Sequence, residues 1–171
     1  KEDANRLSEN IEFHLLGNHI LENGFALWFA ANLFNDKRFY RISNKILKSQ
    51  LNEQVLNDGG HFELSPMYHI LMLYRILDSI NLNVLNPNIQ NEEIIELFKS
   101  KSSKMLSWLN KMTFKNGDFP LFNDSANGIT PPPGDIFEYA NILKIKSANI
   151  SLSDSGYRDF RTNKYELIAD V

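Results

Sequence analysis

The sequence predicts a mainly α-helical fold, an array or toroid of paired helices, that gives way to β structure near the C-terminus. Three observations predict it. Apolar residues recur every three or four positions through several long segments. Clusters of Gly, Pro, Asn and Asp separate those segments. The ending, SGYRDFRTNKYELIADV, instead alternates like strand around a TNK turn and reads as a β-hairpin opening a different domain. No fixed-period repeat is visible, so the array rests on the similar lengths of successive helices.

From Glu2 to Leu16, the residues Leu7, Ile11 and Leu15 form a helical stripe that Phe13 and Leu16 widen. Gly17 breaks it. A second helix is expected from about Asn18 to Phe34. Ile20, Leu21, Gly24, Leu27, Trp28 and Ala31 make it apolar around much of its girth, which predicts deep burial. Asp36 stands ready to cap a third helix carrying Phe39, Ile42, Ile46 and Leu47. Its other side bears Lys37, Arg38, Arg41, Lys45 and Lys48, read as a solvated face. NDGG, Asn57 to Gly60, ends that helix with glycines able to take positive φ.

Ser65 as N-cap and Pro66 at the first helical position open a fourth helix, with Ile70, Leu73, Tyr74 and Leu77 as its stripe. NLNVLNPNIQNEE reads as a polar loop around Pro87. A fifth helix is expected from about Glu92 to Met112, with Ile95, Phe98, Met105, Leu106, Trp108 and Leu109 inward. After the turn-rich KNGDFPLFNDSANGITPPPGD, a shorter helix runs near Ile136 to Leu143.

Composition bounds the function. The 171 residues are 43% hydrophobic and 23% charged, enough for a real core. A net charge of −3 excludes the whole-chain basic footprint of a nucleic-acid binder. With no cysteine there is no disulfide, thiolate metal site or cysteine nucleophile, and the compartment stays open. No apolar run reaches the roughly 20 residues that span a bilayer. The abrupt start at KEDANRLSEN and the strand-like end lead us to expect a segment of a longer protein.

Two stretches concentrate chemistry. In GNHILENG, Asn18, His19 and Glu22 lie at the start of the buried helix. His19 and Glu22 are three apart and share a face. Free N–H groups and the helix dipole favour an anion there, so an amide beside an imidazole could hold a carboxylate. The same spacing also fits Asn18 as an N-cap and His19 as a core histidine. In DGGHFELSPMYH, Tyr68 and His69 fall in the first turn after Pro66. His61 and Glu63 precede them in what reads as extended chain, with side chains pointing the same way. A tyrosine acts as general acid or base when a cationic neighbour lowers its pKa. The plainer reading is that Ser65 caps, Pro66 starts the helix and Tyr68 packs.

His61, Glu63 and His69 match no zinc-ligand spacing. Asp118, Asn123 and Asp124 read as turn residues without EF-hand spacing. No phosphate loop or Ser-His-Asp order occurs.

Taken together, NHILENGFALWFAANLF and QVLNDGGHFELSPMYHILML resemble the heparinase II/III-like family of polysaccharide lyases. GDFPLFNDSA resembles the family's segment closing the helical domain, and DSGYRDFR the start of its β-sandwich. The resemblance implies an incomplete (α/α) toroid over residues 1–147, then a linker and the first strands of an antiparallel β-sandwich at 148–171. It implies β-elimination on uronic-acid glycans, an anionic polysaccharide or oligosaccharide as partner, no cofactor and no metal ligand in this chain. Carried over by residue, Asn18 would neutralise the substrate carboxylate and His19 would sit beside it, as the base in some relatives. Tyr68 would protonate the leaving oxygen. Glu22 and Glu63 would line or brace the cleft, with His69 in the same substrate-binding set. The earlier helices and the rest of the β-sandwich would come from other parts of the same protein, so the isolated segment is expected to be inactive. The implied location is the bacterial periplasm.

The chemistry explains those residue types. Removing the C5 proton of a uronate builds a carbanion beside a carboxylate, which is prohibitive while the carboxylate keeps its full charge. A donor such as Asn18 disperses that charge. A base must reach C5–H and an acid the glycosidic oxygen on C4, each contributing about 10²–10⁴-fold. Two other readings stay open. One is a glycoside hydrolase on an α/α toroid, using Asp58, Glu63 or Glu22 as paired carboxylates. The other is a non-catalytic carbohydrate-binding scaffold.

Overall fold

The computed structural model describes residues 1–15, 17–86 and 92–171. Six helices are present among them: α1 (Glu2–Glu9), α2 (Gly17–Phe34), α3 (Lys37–Gln54), α4 (Pro66–Leu85), α5 (Glu92–Met112) and α6 (Pro133–Ile142). Two strands, β1 (Tyr157–Arg161) and β2 (Glu166–Asp170), follow. The chain forms two compact units, one of Lys1–Gln54 with Asp78–Phe98, the other of Val55–Leu77 with Lys99–Val171. No helix among the described residues is long and apolar enough to cross a membrane.

The first unit is built on α2 and α3. As its composition predicts, α2 is buried along most of its length, with Leu21, Leu27, Trp28 and Ala31 fully enclosed. Gly24 faces α3 so closely that a Cβ there would stand 2.9 Å from Ile46 and 3.0 Å from Leu47. Leu27, Ala31 and Phe39 form a core that Leu7 and Ile11 help to close. Trp28 meets the edge of Phe98 at 5.4 Å. Asp36 caps α3 as expected, its Oδ1 accepting the Arg38 and Phe39 N–H groups. Lys37, Arg38, Arg41 and Lys45 are exposed, and Lys48 pairs with Glu93, as befits a solvated face.

Two boundaries in this unit differ from expectation. The first helix stops at Glu9 instead of running to Leu16. Asn10 ends it by donating its side-chain amide to the Arg6 carbonyl at 2.8 Å. Glu12 is drawn instead to Asn23 on α2, and Phe13 and Leu15 are exposed. Leu16 lies outside the described residues. The polar run after Ile80 is not all loop, because Asn81 to Leu85 continue α4. Asn86 closes that helix by donating its amide to the Leu82 carbonyl. Pro87 and the rest of that loop up to residue 91 lie outside the described residues.

The second unit packs Trp108, Met112, Tyr157 and Ile168 together, with Leu64, Phe114, Phe122 and Leu152 around them. The predicted hairpin is present. β1 and β2 pair antiparallel from Tyr157↔Asp170 to Arg161↔Glu166. Thr162 Oγ1 accepts the Lys164 and Tyr165 N–H groups across the TNK turn. Arg161 fastens the hairpin to the end of α5, donating to the carbonyls of Asn110, Lys111 and Thr113. A cation there also complements the C-terminal dipole of α5.

NDGG does not end α3, which stops at Gln54. It forms its own turn, closed by the Val55↔His61 bridge and the Leu56 N–H to Gly60 carbonyl bond. Gly59 takes φ +91°, and any Cβ there would overlap the Lys104 backbone of α5.

Candidate functional site

In the first unit, α2 begins at Gly17 (φ +57°), a backbone position suited to glycine. The Gly17 carbonyl accepts from Nε2 of Gln54 at 2.7 Å, and Gln54 is itself fully buried. Asn18 and His19 thus lie inside the first turn, Asn18 half-buried and His19 exposed. His19 is therefore not a core histidine, and Asn18 is not the residue before the helix. Glu22 is half-buried one turn on. Its neighbour Asn23 ties the start of the helix together. Asn23, buried, donates to the His19 carbonyl (2.9 Å) and the Glu12 carboxylate (2.8 Å), while its oxygen accepts the Glu12 N–H. A buried amide survives only with its bonds made. The i, i+4 spacing of His19 and Asn23 was the available signal.

In the second unit, Asp58 anchors the turn. Its Oδ1 accepts the Gly60 N–H, and its Oδ2 accepts the Ser153 N–H, the Ser155 N–H and the Ser155 hydroxyl. Burial pushes its carboxyl up, but these bonds more than offset that and hold it below the usual carboxylate range. A glycosidase acid needs the opposite shift. Trp108 Nε1 donates to the Ser155 hydroxyl at 3.0 Å, and His69 stacks on Trp108 at 4.3 Å.

His69 is completely buried, with Nε2 bonded to the Met105 carbonyl, so that nitrogen carries the proton of a neutral ring. Burial holds its pKa down to about 3. No atom of His69 is exposed, and its ring packs in the core against Trp108. His61 is likewise buried and held down to about 4 by desolvation. The expectation that His61 and Glu63 point the same way also fails. Residues 61–64 form a turn, with Leu64 N–H to the His61 carbonyl and Leu64 at φ +56°, so His61 turns inward while Glu63 stays half-exposed. Among the described residues no group of three His, Asp or Glu is placed to hold a metal.

Tyr68 stands on the first turn of α4, after the predicted Ser65 cap (Tyr68 N–H to Ser65 Oγ, 3.3 Å) and Pro66. It is half-buried, and its hydroxyl donates to Asp124 Oδ2 at 3.4 Å. The charge of Asp124 raises the phenol pKa, with burial, the hydrogen bond and Glu63 adding to it. The charged groups acting on it are carboxylates, which raise the pKa where a cation would lower it. The phenol therefore keeps its proton across a wide pH range, the state of a proton donor. The turn before it is locked from afar, because Tyr157 donates to the Leu64 carbonyl at 2.6 Å and Asn123 donates to the same carbonyl at 2.8 Å.

The first unit also holds a cavity of about 530 Å³ lined by Ile11, Phe13, Ile20, Arg41, Ile42 and Lys45 among others. None of the candidate residues lines it.

The helical fold and the two motif-bearing helices define the class. Residues 1–131 match the family described as Heparinase II/III N-terminus, and the chain belongs to that family. It is similar to a heparin-sulfate lyase of Bacteroides stercoris, 28% identical over 113 residues, which is 64% of this chain and 17% of that protein. Its fold is similar to the crystal structure of heparan sulfate lyase HepC from Pedobacter heparinus, with TM-score 0.64 and 21% identity. That match covers 98% of this chain and 29% of HepC. The chain thus spans less than a third of either relative.

Proposed function

We propose that the chain is a segment of a polysaccharide lyase that cleaves uronic-acid glycans by β-elimination. Asn18 is assigned to the substrate carboxylate, His19 to the base beside it and Tyr68 to the acid. Residues 1–147 are proposed as part of an incomplete toroid and 148–171 as the entry to a β-sandwich. The remaining helices and strands would come from the rest of a longer, periplasmic polypeptide. Family membership supports this, as do the lyase activities of the two relatives. The observation that carries it is the setting of Tyr68. Buried groups around it are tied to one another, whereas its phenol is partly exposed, protonated and placed by a locked turn.

In the proposed step the base takes the C5 proton. The C5–H pair becomes the C4=C5 π bond, the C4–O bond breaks, and its pair goes to the glycosidic oxygen. That oxygen takes the proton of Tyr68, and solvent later reprotonates the phenolate and discharges the base. Asn18 stabilises the charge that grows on the carboxylate.

The test is ultraviolet absorbance of the full-length parent on heparan-type, alginate and other uronate glycans. Rising absorbance from the conjugated double bond supports the lyase. New reducing ends without it would move the assignment to a hydrolase.

A further inference from the structure

We propose that Asp124 is the positioning residue of Tyr68, its carboxylate holding the phenol oxygen and keeping the proton loaded for transfer to the leaving oxygen. The role rests on the lyase assignment; the contact itself does not.

The loop that carries Asp124 is fastened to the start of α4 by both of its neighbours. Asn123 (φ +50°, a left-handed position that asparagine tolerates) donates to the Leu64 carbonyl. Ser125 Oγ bonds Ser65 Oγ at 2.8 Å and accepts the Met67 N–H. The Asp124 backbone carbonyl accepts from Ser65 Oγ at 3.0 Å. Three consecutive residues therefore dock on Leu64, Ser65 and Met67, and the Asp124 carboxylate takes no part in the docking. It is left to face Tyr68, where it accepts the hydroxyl at 3.4 Å. That bond is long and therefore weak, so the phenol gives it up readily when a substrate oxygen arrives. The two charged groups acting on the phenol are Asp124 from this loop and Glu63 from the turn before α4, both acidic. Each works to keep the proton on Tyr68, and rotation about the Cζ–O bond is enough to turn that proton toward a substrate oxygen.

The experiment is a pH titration of this chain carrying ¹³C-labelled tyrosine, followed by NMR. Tyr68→Phe assigns the signal among the six tyrosines. In Asp124→Asn the Tyr68 titration moves to lower pH, and in Asp124→Glu it returns toward wild type. Tyr157, bonded to Leu64 and Asn123, stays unmoved and shows that the docked loop is intact. An unmoved Tyr68 titration in Asp124→Asn, with Tyr157 unmoved, overturns the proposal.

In the full-length parent, Asp124→Asn lowers kcat on the order of 10-fold with KM little changed, a fraction of what a general acid supplies. The alkaline limb of its pH profile moves to lower pH, which a merely structural residue would not cause. A shifted titration in a parent whose wild type makes no unsaturated product overturns the lyase assignment and the catalytic role of Asp124 with it. Thus the two failures are told apart.

Discussion

The two compact units hold their candidate residues by different means. In the first, Asn18 and His19 ride on a long helix whose place is set by apolar packing, with two buried amides, Asn23 and Gln54, tying down its start. In the second, Tyr68 follows an irregular turn whose place is set by hydrogen bonds from distant residues, those of Asp58, Ser155, Tyr157 and Asn123. Apolar packing tolerates small changes of shape, whereas a buried polar network fails when one member is removed. The apolar body of α2 should therefore be robust and the tyrosine turn brittle.

Glycine to alanine in each unit shows the contrast most strongly. Gly59→Ala combines a positive φ with overlap on the Lys104 backbone, which cannot move aside. It is expected to cost more than about 4 kcal/mol. Gly24→Ala meets side-chain rather than backbone atoms, the Ile46 Cγ2 methyl at 2.9 Å and Leu47 Cδ2 and Cγ at 3.0 and 3.2 Å, and alanine is the better helix former. Its cost is expected to be about 1–3 kcal/mol, below that of Gly59→Ala. Urea denaturation of both variants measures the difference, and equal costs would remove it.

Asp58→Ala comes next. It strands buried donors from Gly60, Ser153 and Ser155, at about 1–3 kcal/mol for each group left unpaired. A loss of roughly 3 kcal/mol is expected, with hydrogen-exchange protection falling first at Ser153–Tyr157. A loss of a few tenths would show that the network carries little.

A more gradual effect comes from pH. Unfolded histidines titrate near 6.5, while folding holds His61 to about 4 and His69 to about 3. Between those values the unfolded chain binds more protons. Stability present above pH 6.5 is therefore lost as pH falls toward 4, by up to about 1.4 kcal/mol per pH unit for each ring. His69→Phe keeps an aromatic ring against Trp108 and should roughly halve that slope. Thermal melts from pH 7.5 to 4.5 check it.

Much of the fold was legible in the sequence where periodicity ran long. α2 and α5 begin and end within a residue of expectation, α2 because a long apolar run is bounded by Gly17 and Asn35–Asp36, α5 because its apolar stripe is bounded by turn-rich segments. The end of α1 was not legible. Its stripe continues in sequence through Leu15, but Asn10 and the pull of Asn23 on Glu12 override it. In the candidate site, the cap at Ser65 and Pro66 was readable locally. The inward turn of His61 was not, since it depends on Leu64 at positive φ, held by Tyr157 from 93 residues away. His69 looked like a helix-start residue open to a cleft. Its burial comes from Trp108 and Met105, which no local pattern places beside it. Asp124 read as a turn residue because its contact with Tyr68 spans 56 residues.

The decisive measurement is the rate of unsaturated product formation by the full-length parent and its Tyr68→Phe variant on the most active uronate glycan. The variant keeps the ring and loses only the proton and its bond to Asp124, so the fold should hold. We predict a fall in kcat of about 10²-fold or more with KM nearly unchanged. A variant that retains wild-type kcat would contradict the assignment of Tyr68 as the acid.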